Sequence, residues 1–201
     1  MKDTKEVVLF FKHNTVYKPL DVAKELSNRY EELGNPLILP ETANKKNPLI
    51  VFNENKDFQI QANLLTFTIV VNHNCFERLA SIIFDVVDTL NEFGCSFVRI
   101  GYISSVFLPP RCVDIAKERF LKMDYIEDVT DFNLSWYKKI DTKYGAINSW
   151  ERFITDSANF DDLLCQYDFN SPAKEEVDFN MKYIKEFLRV ADSYIADRTD
   201  F

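Results

Sequence analysis

The chain has 201 residues, 46% of them hydrophobic, with 18 Phe, 9 Tyr and 2 Trp against only 4 Gly. That composition excludes a disordered chain and favours a packed core with few long flexible lids. Twenty-four Lys and Arg against 32 Asp and Glu leave a net charge of −8, which argues against direct binding of nucleic acid or anionic lipid and, for a protein partner, towards a basic one.

The opening segment, MKDTKEVVLFFKHNTV, has too short an apolar centre for a signal peptide and reads as a first strand, Val7 to Lys12. Pro19 and Asp21 open a helix that carries Val22, Leu26, Tyr30 and Leu33 at helical spacing and closes at Gly34. Short strands follow at Leu37 to Leu39, Leu49 to Phe52, Phe58 to Ala62 and Leu65 to Val71, the last two joined where the apolar phase slips at Leu64 and Leu65. Asn74 with Glu77 three residues on forms a capping box for a helix that runs to Gly94 and should be the most buried of the set.

The strand Ser96 to Leu108 comes next, stopped by Pro109 and Pro110, and a short helix spans Arg111 to Lys122. Three further strands are expected at Phe132 to Ile140, Ala146 to Thr155 and Leu163 to Phe169, with DTKYG as a hairpin between the first two. A final helix from Pro172 to Asp197 presents Val177, Met181, Ile184, Leu188, Ala191 and Ile195 as one seam. That seam is expected to cover the protein's own sheet, with a homodimer contact as the alternative.

Strands followed by helices, twice over, predict an α+β chain with an antiparallel sheet backed by helices. Two ferredoxin-like halves, 1–108 and 109–201, sharing one continuous sheet in a single compact domain fit this order. No segment reaches the length of a membrane span. Cys75, Cys95, Cys112 and Cys165 are scattered without a CxxC pair, so reduced, buried thiols in a cytoplasmic protein are expected rather than a disulfide or metal framework.

Glycines at only 34, 94, 101 and 145 exclude a phosphate-cradling loop, and no cofactor is expected. With His13 and His73 the only histidines, His73 beside Cys75 is the one nucleophile-and-base candidate, but turn, cap and core roles explain both residues. The acidic run DSANFDDL lacks the spacing of a calcium loop and reads as a solvated turn, leaving no metal site.

In the strand FVRIGYISSVFL, alternation sets Val98, Ile100, Tyr102, Val106 and Leu108 on a core face, with Phe97, Arg99, Gly101, Ile103, Ser105 and Phe107 on a second face. Gly101 marks a bulge or a close approach to the backbone. Arg99 needs an acidic partner, with Asp168 on its strand as the first choice, or it binds an anion or a partner's carboxylate. Asp168 points to the face opposite Leu163, Cys165, Tyr167 and Phe169, where it forms part of the sheet's polar face, or else Asn170 and Ser171 after it cap the last helix.

SFVRIGYISSVFL after a long helix, NLLTFTIVV before that helix and LLCQYDFN ahead of the last one resemble an uncharacterised, sporadically distributed bacterial family with an Arg-hydrophobic-Gly strand and an Asp-bearing strand before a terminal helix. Where that family continues Arg-Tyr-Ile-Asn after the glycine, this chain has Tyr102, Ile103, Ser104 and Ser105. The resemblance implies a bacterial or phage-borne cytoplasmic protein and carries over no catalytic residue. The expected function is a non-catalytic interaction protein, such as an inhibitor, immunity or defence-associated factor, with an acidic, aromatic-rich surface. The alternative is a small-molecule or nucleotide-handling protein with its site at Arg99, Gly101 and Asp168.

Overall fold

The computed structural model describes residues 3–12, 18–31, 37–38, 50–52, 58–63, 65–121, 128–143, 145–172 and 180–199. The first strand, β1 (Thr4–Phe11), leads into α1 (Pro19–Arg29) and then into β2 (Leu37–Ile38), β3 (Ile50–Phe52), β4 (Phe58–Ala62) and β5 (Thr66–Asn72). A 3-10 turn, His73–Arg78, runs into α2 (Leu79–Glu92), which is followed by β6 (Phe97–Leu108) and α3 (Arg111–Phe120). β7 (Asn133–Thr142), β8 (Gly145–Asp156), β9 (Phe160–Asn170) and α4 (Met181–Thr199) complete the chain.

The nine strands form one sheet in the order β2-β3-β4-β5-β1-β6-β9-β8-β7, with each neighbouring pair antiparallel. The connectivity repeats itself: a strand, a helix, a meander that returns to lie beside the first strand, then a second helix. β1 and β6 open the two repeats and pair with each other at the centre. By this connectivity β6 begins the second repeat, whereas the sequence division placed Leu108 at the end of the first.

All four helices lie on the sheet face that carries Val7, Ile69, Tyr102, Tyr167, Phe169 and Phe153. On that face α1 packs against α2, Phe120 of α3 meets Phe153 at 4.7 Å, and Asp192 of α4 accepts from the Tyr102 hydroxyl at 2.6 Å. The face is apolar under α1 and α2, where Val22, Leu26, Ile82, Ile83, Val86 and Leu90 are fully buried. Under α4 it is partly polar, with Ser149 and Glu151 fully buried as well. The α4 seam of Ile184, Leu188, Ala191 and Ile195 is buried in the chain's own core, while Val177 lies outside the described residues.

Several local expectations are corrected. Asn72, not Asn74, caps the segment before α2, its side chain accepting from the Asn74 N–H at 3.0 Å. Neither Asn170 nor Ser171 caps α4: Ser171 extends the sheet by donating its N–H to the Ile100 carbonyl at 2.9 Å and accepting the Ile100 N–H on its hydroxyl at 3.0 Å. Asn180 does the capping, accepting from the Tyr183 N–H at 3.0 Å. The tight turn between β4 and β5 is built by Asn63, whose side chain accepts from the N–H groups of Leu65 and Thr66. Gly145, with φ 115°, closes the β7–β8 hairpin as a glycine can and other residues rarely do. Leu33, Gly34 and His13 lie outside the described residues.

The strand carrying Arg99 departs from simple alternation in one place. Phe10 faces Arg99, yet Phe11 faces Phe97, so Val98 is an extra residue, a bulge. Phe97 therefore turns to the helix side and stacks on Phe11 at 5.5 Å, and Val98 leaves the core face to which alternation assigned it. From Arg99 onward the expected phase holds, with Ile100 and Tyr102 buried under the helices.

Candidate functional site

No described helix covers the other sheet face, which is roughly 40 Å wide given nine strands spaced about 4.8 Å apart. Register places its residues in rows across the central and second-half strands. Glu6 lies opposite Ile103, Ile103 opposite Asp168, Asp168 opposite Trp150 and Trp150 opposite Tyr137. One row over, Val8, Gly101, Asn170 and Asn148 follow each other, and beyond them Phe10 lies opposite Arg99. Arg99, Gly101 and Asp168 thus share the open face.

Gly101 is a place of close approach, and what approaches is Asn170. A Cβ at position 101 would stand 3.0 Å from Asn170 Oδ1, tighter than nine in ten real Cβ contacts, so the amide would have to give way. With the space left clear, the Asn170 side chain lies over the glycine and donates through Nδ2 to Asp168 Oδ1 at 2.5 Å. The glycine therefore serves the carboxylate through the amide.

Arg99 does not form the expected ion pair with Asp168. Its guanidinium lies over the Phe10 ring, 5.2 Å from the centroid, and its buried Nε has no hydrogen-bond partner among the described residues. Its charge still reaches Asp168. Burial raises the Asp168 carboxyl above the ordinary carboxylate range, and the Asn170 bond and the Arg99 charge pull it partly back. Glu6 is raised as well, first by burial and then by the Asp168 charge. Two partly desolvated carboxylates flanking Ile103 would each ionise more readily beside an added cation.

Toward β7 the face becomes aromatic. Trp150 is 49% exposed and Tyr137 43% exposed, and their rings meet at 5.2 Å. The Tyr137 hydroxyl donates to Asn148 Oδ1 at 2.7 Å, which fixes its ring. A depression of about 250 Å³ lies beside them, lined by Trp150, Arg152, Gln166 and Asp168. Arg99 is outside this lining, so the depression joins Asp168 to Trp150 and Arg152 rather than to Arg99. Glu6, Trp150 and Tyr137 were not singled out by sequence, and Asn170 was considered only as a helix cap. Trp150 did leave a signal, because an aromatic residue out of phase with the buried Ile147 and Phe153 must face away from the core.

The helix side holds a second polar cluster that sequence missed. Glu151 is 0% exposed, accepts from the Tyr194 hydroxyl and pairs with Arg198 at 3.4 Å, while Lys138 and Arg198 lie over the Tyr194 ring. Burial and the Glu151 carboxylate hold both Tyr167 and Tyr194 protonated far above the ordinary phenol range. This cluster ties α4 to the sheet and opens onto no described cavity.

The remaining candidates are dispersed. His73 is exposed and Cys75 buried, so the thiol faces the core and the imidazole faces solvent. Asp156 organises the β8–β9 turn by accepting from the Ala158 N–H at 3.1 Å. Among the described residues, no group of three or more His, Cys, Asp and Glu side chains is placed to hold a metal ion, and no helix is long and apolar enough to cross a membrane. The sequence matches no family model and no curated protein.

Proposed function

We propose that this chain is a non-catalytic, cytoplasmic interaction protein, of the inhibitor, immunity or accessory kind, that engages a basic protein partner on the helix-free face of its sheet. The observation that carries this reading is the row Glu6, Ile103, Asp168, Trp150 and Tyr137. It sets two carboxylates and two exposed aromatic rings in one row across five neighbouring strands.

Each part has a use in recognition. Aromatic rings held by packing or hydrogen bonds lose little entropy on binding and commonly anchor interfaces. A partner's Lys or Arg laid over Ile103 would reach between Glu6 and Asp168, replacing mutual repulsion with charge-assisted hydrogen bonds. The net charge of −8 adds long-range attraction for a basic surface. Two ferredoxin-like halves sharing one sheet are the architecture we infer for this platform.

A second reading, a small-molecule site, is favoured by the depression beside Asp168 and by the unpartnered Nε of Arg99. One comparison separates the two: affinity capture from the source cell with the wild-type chain, Trp150→Ser and Asp168→Asn. The partner reading expects one stoichiometric protein held by the wild type and released by both variants at unchanged melting temperature. Equal capture by all three chains, or capture of none, would sink it.

A further inference from the structure

We propose that β7 is a dimerisation edge, pairing antiparallel with β7 of a second copy so that Tyr137 lies against its own symmetry mate. This inference does not depend on the partner reading above. It rests on the backbone of the last strand of the sheet.

Among the described residues β7 ends the strand order and is paired on one side only, in unbroken register with β8 from Asn133 to Thr142. Which of its backbone groups are used can be read from the ladder's two ends. Thr142 and Gly145 are partners across a two-residue hairpin loop, a narrow, hydrogen-bonded closing pair. At the other end, in the same register, the Thr155 N–H donates to the Phe132 carbonyl at 3.0 Å. In an antiparallel ladder alternate residues bond the same neighbour. The even-numbered residues therefore bond β8, and Asn133, Ser135, Tyr137, Lys139 and Asp141 turn their N–H and C=O groups outward.

Ten residues of regular strand, without proline or bulge, form a ready template for another strand. The usual protection of such an edge is charge, and here charge together with the length of strand paired selects a register instead. Centring the two copies on Lys138 or Lys139 would set lysine against lysine, and centring them on Trp136 would set Asp141 against Asp131. Centring on Tyr137 opposes Lys139 to Ser135, Asp141 to Asn133, Lys138 to Trp136 and Ile140 to Leu134, with no like charges facing. It also pairs nearly the whole strand.

This register has a consequence on the open face. Tyr137 and Trp150 of one copy, already in ring contact, meet the same pair from the other copy. Four aromatic rings then form one continuous row across the dyad on the open face, where their outward surfaces stay exposed. Lys138 does not obstruct the pairing, since its amine lies over the Tyr194 ring on the helix side, 4.1 Å from the centroid.

Light scattering coupled to size exclusion, run on the full chain over a dilution series, tests this. The expected result is twice the chain mass of 23.6 kDa at high concentration, falling to the single-chain mass on dilution. Ser135 is exposed, so its substitution leaves the core untouched. Ser135→Lys faces Lys139 twice across the dyad and is expected to weaken the dimer roughly 2- to 30-fold, the effect of two cross-strand charge pairs, while Ser135→Glu strengthens it by a similar factor. Tyr137→Lys is expected to give single chains, with near-ultraviolet circular dichroism reporting that the fold persists. A single-chain mass at every concentration overturns the proposal, as does a dimer that responds equally to S135K and S135E.

Discussion

Substituting Gly101 by Ala tests the relation between the glycine and Asn170 most directly. The new methyl group would stand 3.0 Å from Asn170 Oδ1, with Phe10 Cε2 at 3.6 Å and Val8 Cβ at 3.8 Å. The latter two are ordinary contacts, so the strain falls on the amide. Asn170 cannot retreat freely, because it is 8% exposed and its Nδ2 is bonded to Asp168. Losing a hydrogen bond to a charged group costs about 1.5–3 kcal/mol, and alanine's lower chain entropy returns about 0.5–1 kcal/mol. Gly101→Ala should therefore destabilise the fold by about 1–2 kcal/mol, read as a lower urea midpoint at unchanged slope. In an Asn170→Ala background the obstacle and the bond are both absent, and the same substitution should be neutral or slightly stabilising. Equal costs in the two backgrounds, within about 0.5 kcal/mol, would show that the sites are independent and refute the reasoning.

Three further outcomes are expected. Glu6 and Asp168 both titrate above the ordinary range in the fold, so the stability they contribute is greatest when they are protonated and is lost as pH rises through their folded pKa values; urea midpoints should rise on mild acidification, and less so in the Glu6→Gln, Asp168→Asn chain. Tyr194→Phe removes the hydroxyl donor to the buried Glu151 and should cost about 1.5–3 kcal/mol, with the loss reduced when Glu151→Gln is added; equal losses would show that the carboxylate's charge is not the cause. All four cysteines are buried, and burial pushes the Cys95 thiol up to about 11 and Cys165, beside Cys112, up to about 12; a thiol reagent at mildly alkaline pH should label none of the four in the native chain and all four in urea, and rapid native labelling would contradict their placement.

The α+β architecture was legible because local signals agreed with one another. Pro19 at a helix start, the prolines at 109 and 110, the DTKYG hairpin and the alternating apolar residues of β8 and β9 each specify their own segment. Features set by distant partners were not legible. The Val98 bulge is visible only against β1, where Phe11 selects Phe97 as its stacking partner. Asn170 was mistaken for a cap because its bond to Asp168 and its place over Gly101 depend on the β6–β9 register. The pairing of Arg99 with Asp168 was inferred from strand parity alone. It ignored Phe10, whose ring takes the guanidinium, and Asn170, whose amide reaches the carboxylate first. Glu151 lay hidden among the buried positions of β8, since nothing nearby in sequence announces Tyr194 and Arg198 above it.

The single extra residue at Val98 gives β6 something like a reading frame. Before it, odd numbers belong to the helix side; after it, they belong to the open side. Deleting Val98 would place Phe97 directly before Arg99, and uninterrupted alternation would then satisfy both ends of the strand. Phe97 would keep its place against Phe11 on the helix side and Arg99 its place beside Phe10 on the open side, with Ile100 and Tyr102 still in the core. A one-residue deletion here should therefore do far less damage than one anywhere else in β6, where losing a residue would turn one end of the strand to the wrong face.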